Sequence, residues 1–216
     1  MGANRRASRR APRTGFAPEH FDRDYYRRFY HDPATRVVDA DDVEKLCRFV
    51  VAYLEFLDVP IQRVLDLGCG IGLWRDALED ACPNARYTGV EVSPYLCDEY
   101  GWRRGSVVDF RANGGFDLVI CQGVLQYLDD ADAERAIQNL ARLCRGALFL
   151  EVLTRADWER NCDRQRTDGA VHLRTGDWYR ERLAGDFVNC GGGVFARRGS
   201  TAALFELETL DRDGPR

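Results

Sequence analysis

The stretch Asp66-Leu67-Gly68-Cys69-Gly70-Ile71-Gly72 ends a short apolar run with three glycines at alternate positions. Glycines let a backbone turn tightly and let a ligand approach it with no Cβ in the way. The spacing is not that of the dinucleotide fingerprint, because Leu73 stands where its last glycine belongs. Glu91 follows about 20 residues later, at the end of a second apolar run, where an acid is placed to accept both hydroxyls of a ribose. Asp109 ends a third run and is placed to accept from an adenine amino group, with Phe110 beside it to cover the ring face. Taken alone, Asp109 reads equally as a turn or helix cap. Further on, Asp168 and His172 form a possible orienting acid and general base. His172 and Arg174 would serve equally to bind an acidic acceptor.

The elements that must hold these residues alternate. Apolar positions at helical spacing mark a helix over 41–57, with Asp41 or Asp42 as its N-cap. Strands are expected at 63–67, 86–92, 105–109, 116–121 and 146–152, with helices at 72–82, 94–100 and 130–144 between them. Strand–helix alternation implies an α/β fold, a doubly wound, Rossmann-like, mostly parallel sheet. A polar stretch at 154–176 then precedes a helix at 177–184. Strands at 186–197 and 201–210, joined by a short turn, are expected as an antiparallel C-terminal hairpin, seven strands in all. In such a sheet ligands bind beyond the carboxyl ends of the strands, which gathers the glycine turn, Glu91 and Asp109 on one edge.

In that order these segments resemble the class I S-adenosylmethionine-dependent methyltransferases. The likeness is carried by Val64-Leu65-Asp66-Leu67-Gly68-Cys69-Gly70-Ile71-Gly72, Gly89-Val90-Glu91-Val92-Ser93, Gly105-Ser106-Val107-Val108-Asp109 and the run 116–128. It covers roughly residues 40–153. The resemblance implies S-adenosyl-L-methionine as cofactor. It implies that Asp66, Gly68, Cys69, Gly70 and Gly72 hold the amino-acid end and that Glu91, with Val92 beside it, holds the ribose. It further implies that Val108 and Asp109 hold the adenine, and that Gln122 and Gly123 lie beneath the methionine portion and sulfonium. In similar small-molecule enzymes an N-terminal aromatic segment folds over the cofactor as a lid. Here Asp24-Tyr25-Tyr26-Arg27-Arg28-Phe29-Tyr30 is the candidate, with Tyr25 against the cofactor and Tyr26 offering a polar tip to the pocket. A helix using Tyr26, Phe29 and Tyr30 only for packing fits the same pattern.

The family fixes no catalytic residue by sequence, so the acceptor side rests on His172, Asp168 and Tyr26 as candidates. Gln126 and Tyr127 also face that side. Trp178 and Tyr179 either line an acceptor pocket or pack a helix. A transfer to an O or N atom of a small molecule is the leading expectation. An RNA or protein methyltransferase and a non-catalytic cofactor-binding regulator are the alternatives. The run Cys121-Gln122-Gly123-Val124 lacks the Asn/Asp-Pro-Pro-Tyr/Phe pattern of enzymes that methylate amino groups of DNA or protein amides.

Charge and cysteines bound the rest. The net charge of −4 includes five arginines within residues 1–16, so the remainder is more acidic still and a broad nucleic-acid-binding face is disfavoured. Residues 1–16 are expected as a disordered basic tail, with a basic arm touching RNA as the alternative. Residues 17–216 are expected as one methyltransferase domain with a lid over about 17–40. The eight cysteines show no CxxC pair, which suits reduced, buried thiols in a cytoplasmic protein. No metal is expected, Cys162, His172 and Cys190 being the only weak candidates. No segment is long and apolar enough for a membrane span, and the sequence is silent on oligomeric state.

Overall fold

The computed structural model describes residues 17–36 and 38–210; the predicted basic tail lies outside them. A seven-stranded sheet forms the centre, in the order β3-β2-β1-β4-β5-β7-β6. Its strands are β1 (Arg63–Leu67), β2 (Arg86–Glu91), β3 (Arg103–Arg104), β4 (Phe116–Gln122), β5 (Cys144–Glu151), β6 (Phe187–Gly191) and β7 (Val194–Arg197). Strand β7 alone runs against the others. The helices are α1 (Arg23–Tyr26), α2 (Ala40–Phe56), α3 (Leu73–Ala81), α4 (Pro94–Tyr100), α5 (Asp130–Leu143), α6 (Arg155–Arg160) and α7 (Gly176–Leu183).

The period-2 pattern of the strands divides the core between the two faces of the sheet. Val64, Leu118, Ile120, Ala147 and Phe149 turn to one side, where Val43, Cys47, Val50 and Leu54 of α2 and Trp74 and Leu78 of α3 cover them. Leu65, Leu67, Val119, Cys121, Leu148 and Leu150 turn to the other, under Ala136, Ile137 and Leu140 of α5 and Leu183 of α7. Strands buried on both faces read as continuous apolar runs, as the parallel sheet requires. At the end opposite the glycine turn, the buried Asp117 carboxylate accepts from Gln62 N, Arg63 N and Arg145 Nε and ties the starts of β1, β4 and β5 together.

Four expectations need correction. The third strand is not 105–109: β3 stops at Arg104, and Val107–Asp109 is a turn. The Ser106 carbonyl accepts from Asp109 N and Phe110 N, and its hydroxyl accepts from Val108 N, so a local side-chain bond competes with the ladder. The hairpin is not formed by 186–197 and 201–210. It lies wholly inside 186–197, because Gly191, Gly192 and Gly193 all take positive φ (83°, 57° and 80°) and reverse the chain there. Residues 201–210 instead run back along the fold, with Ala203 N donating to Leu57 O and Leu210 N to Asn189 O. The polar stretch at 154–176 contains an unforeseen helix, α6, opened by a Thr154–Asp157 capping box. Helix α2 is capped by Asp39, two or three residues before the expected cap.

Candidate active site

The sheet changes direction of winding between β1 and β4, and the carboxyl ends of β1, β2, β4 and β5 open there onto one cleft. Its floor is the β1–α3 turn. Gly68 has φ +84°, and a Cβ there would lie 2.3 Å from Val124 Cγ2, so only glycine lets this turn pass β4. At Gly70, also with positive φ, a Cβ would meet nothing within 4 Å: the backbone faces open space where a ligand can lie against it.

Glu91 sits at the tip of β2, 4% exposed. Its Oε2 accepts from Gly70 N at 2.9 Å, and its Oε1 accepts from Val92 N at 2.7 Å and Ser93 N at 3.0 Å. Burial holds the carboxyl above its ordinary value against these three donors. A carboxylate offers about four acceptor positions, so one position on Oε2 is left for a ligand hydroxyl. Asp66, at the end of β1, is buried and accepts from the Tyr87 hydroxyl at 2.6 Å. Burial pushes its carboxyl up to about 7, with Glu91 adding to the effect. Gln122, at the end of β4, takes the Trp74 indole N–H on Oε1 and donates from Nε2 to Glu151 at the end of β5.

The N-terminal segment lies across this cleft. Pro18–His20 forms a 3₁₀ turn, α1 follows, and Arg27–His31 continues it as a π-helical turn. The segment is held by the Ser93 hydroxyl donating to Phe21 O, by the Tyr25 and Tyr127 hydroxyls at 2.8 Å, and by the Phe21 ring edge-on to Tyr127. Tyr26 is 4% exposed and packs on Tyr30 and Tyr95. Two neighbouring spaces remain beneath. The smaller, about 90 Å³, lies between Phe21, Tyr26, Glu91, Val92, Ser106 and Val107. The larger, about 430 Å³, reaches from Asp66, Cys69 and Gly70 past Gln122 and Gly123 to Glu151, Asp157 and Asp168. Gly68, Gly70, Gln122, Gly123, Tyr25 and Tyr127 border both.

The structure therefore brings together Asp66, Gly68, Cys69, Gly70, Glu91, Val92, Gln122, Gly123 and Tyr25. Gly72 closes the turn at the start of α3 but borders neither space. The segment after β3 differs from expectation. Ser106 and Val107 line the cleft there, whereas Asp109 is exposed and Val108 and Phe110 face the core on the α5 side. The turn that replaces the expected strand is what rotates Asp109 outward.

On the acceptor side the expected Asp168–His172 pair does not form. His172 is exposed and borders neither space, and its backbone N–H donates to Gln126 O. Asp168 does line the larger cavity, and its partner is His20 of the lid, with Nε2 3.9 Å from Oδ2. Tyr26 lies beside Glu91 in the smaller space, away from the acceptor end. Arg174 is 6% exposed and borders neither space: it bonds Asp130, the Tyr179 hydroxyl and the carbonyls of Leu125 and Leu128. Trp178 and Tyr179 pack against the core. Among the described residues no group of three His, Cys, Asp or Glu side chains is placed to hold a metal ion, and no helix is long and apolar enough to cross a membrane.

Sequence reasoning missed Glu151, Asp157 and Trp74. Glu151 had a usable signal, since it ends the fifth strand and the strand-end rule that singled out Glu91 applies to it equally. Asp157 and Trp74 had none beyond their place in helices whose packing only the fold reveals.

A glycine turn and an acid at neighbouring strand ends, in a sheet with one reversed strand near its edge, define the class I methyltransferase fold. Residues 65–146 match the model of a methyltransferase domain family. It is 34% identical to a ubiquinone biosynthesis O-methyltransferase of Xanthomonas oryzae over 114 residues, covering 46% of each chain. The match thus spans about half the length of the curated relatives. Among solved structures, DesVI of Streptomyces venezuelae superposes with a TM-score of 0.59 at 14% identity, over 81% of this chain and 96% of the other. An S-adenosylmethionine-dependent methyltransferase of Clostridium acetobutylicum superposes with a TM-score of 0.57 at 13% identity, with the same coverage. At these identities the superpositions speak for the fold.

Proposed function

We propose that this chain transfers a methyl group from S-adenosyl-L-methionine to an O or N atom of a small molecule. The observation that carries the reading is the free acceptor position on buried Glu91, set beside the open backbone of Gly70 in a space that shares its Gly68, Gly70, Gln122 and Gly123 wall with a 430 Å³ cavity. The domain match and the O-methyltransferase relatives support it. When bound, the cofactor supplies a methyl group on a positive sulfonium with a neutral leaving group. The chain's own part is placement and exclusion of water. Glu91 takes a ribose hydroxyl, Asp66 and the Gly68–Gly70 backbone take the amino-acid end, and Gln122 with Gly123 forms the shelf between the two spaces. Tyr25, joined to Tyr127, roofs that shelf and keeps bulk water from the reacting atoms. Val107 and Ser106 serve the base end in place of Asp109.

Residues 17–216 act in this reading as one catalytic unit with an N-terminal lid, without nucleic acid as a partner. A cytoplasmic setting agrees with eight cysteines that are all free thiols. Calorimetric titration with S-adenosylhomocysteine, followed by label transfer from S-adenosylmethionine to pooled small molecules, tests the proposal. Saturable binding and labelled product are expected. Absence of binding overturns it.

A further inference from the structure

The walls of the larger cavity are one-sided in charge. Asp66, Glu151, Asp157 and Asp168 line it, and no lysine, arginine or histidine does. Asp66 belongs to the cofactor end and is held by Tyr87. The other three come from the end of β5, from α6 and from the loop beyond it, so they surround the opposite end. One further group there is unsatisfied. Gln126 is 8% exposed and its Oε1 is buried without a hydrogen bond, while Asp168 Oδ2 has the 3.9 Å ion-pair contact with His20. Unpaired buried acceptors of this kind are costly unless a ligand donates to them.

Five aromatic side chains, Tyr25, Phe29, Tyr30, Trp74 and Tyr127, share the wall with aliphatic ones such as Val38, Leu73 and Val152. Ring faces attract cations as carboxylates do. The Tyr30 hydroxyl registers the combined field. Its pKa is pushed up to about 12, by burial first and then by Glu91, Asp168 and Glu151. His20 is the cationic candidate nearest the acids, but it stands behind Asp168 with its side chain 41% exposed and outside the lining. The arginines of α6 and its loop are directed elsewhere, Arg155 to Leu173 O, Arg164 to Trp158 O and Arg166 to Ala34 O.

We propose that the methyl acceptor is a primary or secondary amine that enters as its ammonium ion, within the field of Asp157, and donates its two or three N–H groups among Glu151, Asp168 and Gln126 Oε1. This rests on the methyltransferase reading and narrows it to transfer onto nitrogen. A carboxylate or a phenolate would enter against the same three charges and would leave Gln126 Oε1 unpaired. The ammonium first gives one proton to a cavity carboxylate, which exposes the nitrogen lone pair. That pair forms the N–CH₃ bond as the CH₃–S bond breaks, and the electrons of the broken bond stay on sulfur. The product is the methylated ammonium, and the protonated carboxyl returns its proton to water. Glu151 suits the proton step. Loss of hydration against the cavity wall and the nearby Asp157 hold its carboxyl above the ordinary range, while Gln122 Nε2 keeps it oriented.

The test uses the full chain saturated with S-adenosylhomocysteine and titrated with benzylamine, benzoate and catechol, three probes of similar size and different charge. Benzylamine is expected to bind at least tenfold more tightly than benzoate or catechol. Glu151→Gln combined with Asp168→Asn is expected to erase that preference while leaving the affinity for S-adenosylhomocysteine within twofold, which also reports that the variant is folded. With S-adenosylmethionine, mass spectrometry is expected to locate the added methyl on nitrogen. Benzoate or catechol binding as well as benzylamine, or no probe binding at all, overturns the amine proposal. So does a benzylamine preference that survives the double substitution. Failure of the wild-type chain to bind S-adenosylhomocysteine overturns the methyltransferase reading instead, so the two failures are distinct.

Discussion

Replacing Glu91 with glutamine separates two jobs that one carboxylate performs. In the native turn its oxygens satisfy three backbone N–H groups, from Gly70, Val92 and Ser93, at 2.7 to 3.0 Å. A glutamine can keep its single oxygen on Val92 and Ser93, but its amino group then faces Gly70 N–H, donor against donor. One buried N–H left unpaired costs about 1–3 kcal/mol of stability. The same substitution removes the position open to a ribose hydroxyl. A hydrogen bond to a charged acceptor is worth about 1.5–3 kcal/mol, so affinity for S-adenosylhomocysteine should fall on the order of 10- to 150-fold. Thermal melts of the free chain read the first effect, and calorimetry at a temperature where the variant is fully folded reads the second. Wild-type affinity in a variant whose melting point has dropped would refute the ribose assignment. Glu91 would then be only the clasp that shapes the glycine turn.

Three further predictions follow from other parts of the molecule. His172→Ala should keep wild-type turnover and cofactor affinity, because the imidazole is exposed and borders neither cavity; a fall in kcat at unchanged stability would restore it as a candidate base. Arg174→Met should lower the unfolding free energy by about 3 kcal/mol, since the guanidinium joins Asp130, Tyr179 and two carbonyls in a nearly dry site; a urea midpoint equal to wild type would contradict that. Asp117 should contribute to acid unfolding. Burial raises its carboxyl, but Arg145 and two backbone donors outweigh burial and hold it below its ordinary value. Its stabilisation is therefore present above the unfolded pKa of about 3.9 and is lost as pH falls through the lower folded value. Urea melts of Asp117→Asn across acid pH should show a shallower decline than wild type, and parallel curves would sink the assignment.

Much of the frame was legible because apolar periodicity and parallel-sheet rules act over whole segments. β1, β2, β4, β5, α3, α4 and α5 fall within two residues of their expected bounds. The failures are local and have local causes. The Ser106 hydroxyl closes a turn where Val107 and Val108 suggested a strand, and Ser106 and Val107, not Asp109, line the cleft. Gly191 to Gly193 looked like a loose strand interior, yet three consecutive positive φ angles make them the hairpin turn. That Asp66, Gly68, Gly70, Glu91, Gln122 and Gly123 share one cleft was readable because they follow strand ends at short range in sequence. The acceptor half was not, because its residues meet only through the lid and the loop after α6. The contact between Asp168 and His20 spans nearly the whole sheet in sequence and leaves no trace in spacing.

The 90 Å³ left beside Glu91 has a kinetic consequence. Phe21 and Tyr26 border this space and are part of the core packing around Leu96. If the nucleoside of the proposed cofactor enters here, its association waits for residues 18–31 to lift from α4. Cofactor arrival should show a rate that levels off with concentration, well below the usual 10⁵–10⁷ M⁻¹s⁻¹ encounter range. The spent cofactor leaves by the same door. In steady state the slowest event would then be the peeling of an aromatic flap, and turnover would follow solvent viscosity and the strength of the Tyr25–Tyr127 contact more closely than the chemistry of the acceptor.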